Sequence, residues 1–261
     1  MQLVGQTVKH VSFGTGVIVE QEERFLYVDF DQQGKKRFAY PDAFSRFLTF
    51  ADADQQKTAD SLYQQQEQEQ QAQRKKELAK HERLGQLHAI KVSPQSQAAF
   101  DLTEGEAEQQ LHEGVLSTGY YLSGNAKGTP KVPNRMKPNT ACLLTAVPEN
   151  GTELDRKILG VAMVGEKFYG ADCKDGMVRL HGTHRILLPK DQQMAYWKYF
   201  THGEKVPHWG HASFKYFSNT EMHRILRDMK KNLAGTDREE ESKAFFHYFC
   251  YVNHLPEEAS V

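Results

Sequence analysis

"RKILGVAMVGEKFYG", residues 156–170, packs Ile158, Leu159, Val161, Ala162, Met163 and Val164 into seven consecutive positions. The run is too short for an ordinary helix and lacks polar alternation, so it reads as a strand buried on both faces. "NTACLLTAV" (139–147) is a second apolar run of the same type, and "MVRLHGTHRILL" (177–188) a further strand pair or a strand and turn. "DQQMAYWKYF" (191–200) reads as a short helix packing through Met194, Trp197 and Phe200. In "SNTEMHRILRDMKKNL" (218–233), Ser218 and Glu221 have the spacing of a capping box, and Met222, Ile225, Leu226, Met229 and Leu233 fall on one stripe. Lys230 and Lys231 lie in its last turn and Gly235 ends it. A second helix, "REEESKAFFHYFCYVNHL" (238–255), opens on acidic residues. Mixed strands with peripheral helices predict an α+β, β-rich binding domain over residues 91–261 rather than a doubly wound sheet.

Upstream of that domain the composition changes. "QQKTADSLYQQQEQEQQAQRKKELAKHERL" (55–84) has no Gly or Pro and few apolar side chains. Gln, Glu, Lys and Ala favour helix, and a helix polar nearly all round is a bridge between folded parts. Residues 51–90 therefore read as a polar helical spacer, extending by about 1.5 Å per residue. Residues 1–50 read as four short strands: "TVKHVSF" alternates, "GTG" interrupts, then "VIVEQ", "RFLYVDF" and "KRFAY" follow. Four strands are too few for a sandwich and suit a small bent barrel, with Gly14 and Gly16 where side chains would obstruct the bend.

"GQTVKHVSFGTGVIVEQ" (5–21) and "LYVDFDQQGKKRFAYPDAF" (26–44) resemble the Tudor/SH3-like module of UvrD-type DNA helicases and related bacterial proteins. Gly5, Val8, His10, Phe13, Gly14, Gly16, Ile18, Val28, Phe30 and Lys36 occupy the motif positions, with Ile18 where the pattern has valine. The resemblance covers about a fifth of the chain. It implies a docking barrel without catalysis that contacts protein or nucleic acid, with Phe13, Tyr27 and Tyr40 as docking candidates. Phe13, Tyr27, Phe30 and Phe38 also have the character of barrel core. Tyr40, before Pro41 at a strand end, is expected to be the exposed ring.

The net charge of -1 conceals a division. Residues 1–50 are balanced, with six basic and six acidic side chains, and residues 51–114 carry seven against twelve. Residues 115–235 carry eighteen basic and ten acidic side chains, and the remainder is acidic again, two against six. A local basic block attracts polyanions without making the whole chain cationic. The low mean hydropathy of -0.68 reflects the polar spacer. No apolar run approaches the ~18 residues of a membrane span. The opening "MQLVGQTVKHVSFG" lacks a basic region followed by an apolar stretch, so a secretory signal is not expected. Cys142, Cys173 and Cys250 form no CxxC pair, as befits buried free thiols in a reducing cytoplasm.

Chemistry concentrates in "LSTGYYLSGNAKGTPKVPNR" (116–135). Gly119 and Gly124 have the spacing of a P-loop, but Asn125 stands where its lysine must be and Ala126 where Ser or Thr would hold magnesium. The segment is not a dinucleotide fingerprint either. What remains is a loop with Tyr120, Tyr121, Ser123 and Asn125 followed by Lys127, Lys131, Arg135 and Lys137. Rings beside spaced cations suit single-stranded nucleic acid or an extruded base, since rings stack on bases and cations track phosphates. Arg156, Lys157, His184 and Arg185 are expected to border the same cleft, although Glu153 and Arg156 also suit a structural ion pair at a strand entrance. His181 with His184, and His208 with His211, are spaced three apart, but neither pair has a third ligand or an HExxH frame, so no metal or cofactor is expected.

The order "TGYYLSGNAKG", "ACLLT", "ILGVAMVGEKFYG", "HRILL" is similar in organisation to PUA-like and EVE/YTH domains. The similarity implies a bent sheet holding a pocket for a modified or flipped base. Together these features predict a cytoplasmic, non-catalytic nucleic-acid-associated protein that binds DNA or RNA through its C-terminal domain, with no membrane partner. The alternatives are a metal-dependent hydrolase using the histidine pairs with Glu153 or Glu166, and a protein–protein adaptor.

Overall fold

The computed structural model describes residues 3–200 and 208–257. The chain is mixed α+β, with a curled sheet forming a half-barrel and five helices among the described residues. It divides into two compact units between Glu82 and Arg83.

The first unit contains β1 (Thr7–His10), β2 (Gly14–Gln21), β3 (Phe25–Phe30), β4 (Gly34–Ala39) and β5 (Leu48–Phe50). They form an antiparallel sheet in the order β4-β3-β2-β1-β5. The fifth strand was not legible as one because it is three residues long and follows a 3-10 turn at Asp42–Ser45. It lies against β1, with Phe50 opposite Val8. Val8, Ile18, Leu26, Val28, Phe30 and Phe44 bury one face. The two glycines act as the sequence suggests. Gly14 has φ 75°, and a Cβ on Gly16 would stand 2.6 Å from the Phe30 ring and 2.8 Å from the Asp29 carbonyl.

Helix α1 (Ala53–His88) begins on this unit, where Gln56 accepts the Phe50 N–H at 2.9 Å and Ala59 is buried. From residue 64 to residue 83 every side chain is exposed. The last turns belong to the second unit, where Leu87 is buried and Leu84 packs beside it. The helix covers most of the 51–90 segment expected to be helical, and its end is anchored by apolar contacts.

The second unit continues with β6 (Gln97–Asp101), α2 (Glu104–Glu113), β7 (Val115–Ser117), β8 (Ala141–Ala146), β9 (Lys157–Val164), β10 (Met177–Leu187), β11 (Met194–Ala195), α3 (Trp197–Phe200), β12 (Phe214–Phe217), α4 (Asn219–Asn232) and α5 (Glu239–Asn253). The sheet runs β12-β6-β8-β9-β10-β7, with β11 also on β9. β6 and β8 are parallel, joined through α2, and the other pairs are antiparallel. As the opening run requires, β9 is buried on both faces. Ile158, Val161 and Met163 join a core with the apolar stripes of α4 and α5, while Leu159, Ala162 and Val164 join a second core capped by Ala107 and Leu111 of α2. A bulge at Leu159 keeps both faces filled, and a Cβ on Gly160 would collide with the Ile186 carbonyl.

Two local expectations change. The segment 191–200 is only partly helical: Met194 pairs with Ile158 on the open flank of β9, and the helix shrinks to Trp197–Phe200, with Tyr196 and Tyr199 as the buried rings. The segment 177–188 is one strand, β10, in which residues 181–184 bulge out between the pairs Leu180–Val164 and Arg185–Ala162. Among the described residues, no helix is long and apolar enough to cross a membrane.

Candidate functional site

The segment after β7 folds as a small hairpin. Lys131 N–H donates to the Gly119 carbonyl, Tyr121 N–H to Thr129, and Gly128 N–H to Tyr121, all at 2.9–3.0 Å. Tyr120 and Pro130 form a bridge between its arms. Gly119, Gly124 and Gly128 have φ between 70° and 80°, so the tight reversal depends on them. The Thr118 hydroxyl, fully buried, donates to the Lys131 carbonyl at 2.6 Å and ties both arms to the sheet. The tip is presented to solvent: Tyr120 is 56% exposed, Tyr121 41% and Leu122 76%, with Ser123, Asn125 and Lys127 exposed beside them.

The hairpin base meets edge strand β12. Lys131 Nζ donates to Ser213 Oγ at 2.8 Å, and a Cβ on Gly119 would stand 2.5 Å from the same oxygen. The Arg135 guanidinium lies 5.2 Å over the Tyr216 ring, while the Arg135 N–H donates to the Tyr216 hydroxyl at 3.3 Å. Burial pushes the Tyr216 phenol up to about 12, so it stays a neutral hydrogen-bonding group. Phe214 meets Tyr216 edge to face at 5.4 Å and stacks on Phe100 at 5.4 Å. Phe214 and Tyr216 therefore form a partly buried aromatic pair on the second core, with Arg135 over Tyr216 and Lys131 held at the neighbouring Ser213. Ser213 and Tyr216 were missed by sequence reasoning. The available signal was the alternation in "SFKYF" (213–217), whose Phe214 and Tyr216 share one face.

No protein-family model, curated protein or solved structure matches this chain.

The remaining expected residues lie in other settings. Lys137 starts a turn closed by Thr140. Arg156 is buried at 2% exposure and is fully engaged: it forks onto Glu153 at 2.6 and 2.9 Å, reaches Asp101 at 2.7 Å and Thr145 at 3.1 Å, and lies 4.4 Å over Trp209. It is the ion pair at the strand entrance, not a free cation at a cleft. Lys157 is half-buried at the start of β9, between Ala146 and Ala195. Arg185 donates to the Leu111 carbonyl at 2.8 Å and to Gly182, closing the C-terminal end of α2. His184 stacks on Tyr248 of α5 at 4.1 Å, and burial with the neighbouring His181 pushes it down to about 4. His181 has both ring nitrogens engaged. Nδ1 accepts from the Thr183 and His184 amides, so Nε2–H donates to Glu166 at 3.0 Å. Glu166 in turn pairs with Arg83.

The basic block is also divided. Arg179, Lys190 and Lys198 face Asp175, Glu104 and Asp228, and Arg224 and Lys230 of α4 lie over Tyr199 and Phe246. At the hairpin the cations are Lys127, Lys131 and Arg135, a smaller set than the eighteen counted along the segment. Lys205 lies outside the described residues.

Among the described residues no group of three or more His, Cys, Asp or Glu is placed to hold one metal ion. The three cysteines are buried, and burial raises each thiol, Cys250 to about 12. In the first unit, Phe13 stacks on His10 at 4.2 Å with Lys36 over its outer face, and Tyr27 donates to Glu22 at 3.1 Å under Lys35. Tyr40 is less exposed than expected. It is half-buried against Phe44 at 5.8 Å, which raises its phenol pKa by burial.

Proposed function

We propose that the second unit is a non-catalytic module that binds single-stranded DNA or RNA, or an extruded and possibly modified base, at the hairpin. The observation that carries this reading is the pair of exposed phenols, Tyr120 and Tyr121, on a hairpin followed by Lys131, bonded to Ser213, and Arg135, lying over Tyr216. Each exposed ring offers a stacking platform worth about 1–3 kcal/mol per base, and Lys127, Lys131 and Arg135 supply the cations that phosphates require. The parallel β6–β8 pair, the double-sided β9 and the hairpin support the PUA-like or EVE reading of this unit. The five-stranded sheet with its crowded Gly16 supports the Tudor/SH3-like reading of the first unit as a docking barrel for protein or nucleic acid. The proposed setting is cytoplasmic.

A hydrolase is less well supported, because Glu153 and Glu166 are both held by arginines and both His181 nitrogens are occupied. The test is binding of labelled single-stranded and duplex oligonucleotides by the whole chain and by a Tyr120→Ala, Tyr121→Ala variant. The reading expects the variant to lose about tenfold or more in single-strand affinity. Equal affinity of the two proteins would overturn it.

A further inference from the structure

Leu122 is 76% exposed, more than any other large apolar side chain among the described residues, and it occupies the hairpin tip next to Tyr121. An apolar side chain in solvent is unremarkable alone. Here it is set on a braced support. Below Leu122 the arms are cross-bonded at Tyr121–Thr129, Tyr121–Gly128 and Gly119–Lys131. Above it the reversal is closed by Lys127 N–H to the Gly124 carbonyl at 3.1 Å and Thr129 N–H to Ala126 at 2.9 Å. The charged residue of the reversal itself, residues 121–129, is Lys127, which is also exposed. The chemistry of this finger is an exposed apolar side chain and an exposed lysine in one reversal, with Lys131 at the closing hydrogen bond and Arg135 just beyond it.

That arrangement fits one occupant better than others. An acidic or apolar protein surface would use the point or the cations but has no regular need for both. A duplex offers a step between stacked bases for the apolar point and phosphates on either side for the cations. We infer that Leu122, supported by Tyr121, is a wedge that enters duplex nucleic acid between base pairs and occupies the space of a displaced base. The inference rests on the nucleic-acid reading of the hairpin and extends it from single strands to opening of a duplex. Unstacking a step is unfavourable, and burial of the leucine and tyrosine against base faces would offset it.

The probe is a short duplex with one 2-aminopurine, whose emission rises when it leaves the stack. The whole chain is compared with Leu122→Ala and Leu122→Phe, and the same proteins are titrated with the single strand. At saturating wild-type protein the emission should rise. Leu122→Ala should abolish most of the rise and weaken duplex binding about fivefold to tenfold while leaving single-strand binding nearly unchanged, and Leu122→Phe should retain the rise. Duplex binding with no emission change, or a rise equal in Leu122→Ala, overturns the wedge and leaves the single-strand reading standing. Absence of binding to either oligonucleotide overturns both. Because the side chain touches solvent, thermal midpoints of the variants should match wild type.

Discussion

At the scale of single residues, the structure distinguishes cations that hold the protein together from cations that can meet a ligand. Arg156 is of the first kind. Replacing it with Ala leaves Glu153 and Asp101 facing each other beside a vacated space over Trp209, and unfolding free energy should fall by about 2–4 kcal/mol in urea titration. Oligonucleotide affinity measured below the unfolding transition should not change. His184 makes a pH prediction. Its folded pKa, about 4, lies below the ordinary 6.5, so the unfolded chain takes up the proton first as pH falls. Its contribution is complete above pH ~6.5 and declines as pH drops through the window down to ~4. The loss should reach about 1–2 kcal/mol, since the partly exposed ring is screened by water. A His184→Gln variant should show a flatter stability profile between those pH values, and an unchanged profile would contradict the assignment.

At the scale of elements, the hairpin is positioned by features with little sequence signature. Its two tyrosines and following cations were legible because composition alone marks them. The partner strand was not, because "FKYF" is four residues long and its role depends on pairing with β6, where Phe214 lies opposite Phe100 and Phe217 opposite Gln97, more than a hundred positions upstream. Gly119 is the joint. A Gly119→Ala variant adds a methyl group 2.5 Å from Ser213 Oγ and must keep φ at 70°, so it should cost about 1–2 kcal/mol and weaken single-strand binding by moving Lys131. Helix α4 tests the reverse case, an element read correctly from local chemistry. Ser218 Oγ accepts the Glu221 N–H at 3.2 Å and Glu221 returns to the Ser218 N–H at 3.1 Å. Ser218→Ala should therefore cost about 1 kcal/mol with no effect on oligonucleotide affinity.

At the scale of the whole molecule, the apolar run 156–170 specified a strand with two covered faces, and both covers are present. The polar helix α1 was equally legible, because a helix exposed from residue 64 to residue 83 has to be written in helix-forming polar residues. The basic segment misled in one respect. Summed charge along a chain does not say which side chains meet carboxylates after folding, and Arg156, Arg179, Lys190 and Lys198 do so. Electrostatic attraction to a phosphate chain would therefore fall on Lys127, Lys131 and Arg135. The most direct test is the affinity of the whole chain for a labelled single strand at about 50 and 200 mM salt, beside a variant with those three residues changed to Ala. Wild-type affinity should fall about tenfold or more over that range, and the variant should bind weakly with a slope reduced by about 2. Wild-type affinity that is the same at both salt concentrations, or a variant with the wild-type slope, would contradict the claim that this hairpin holds a phosphate chain.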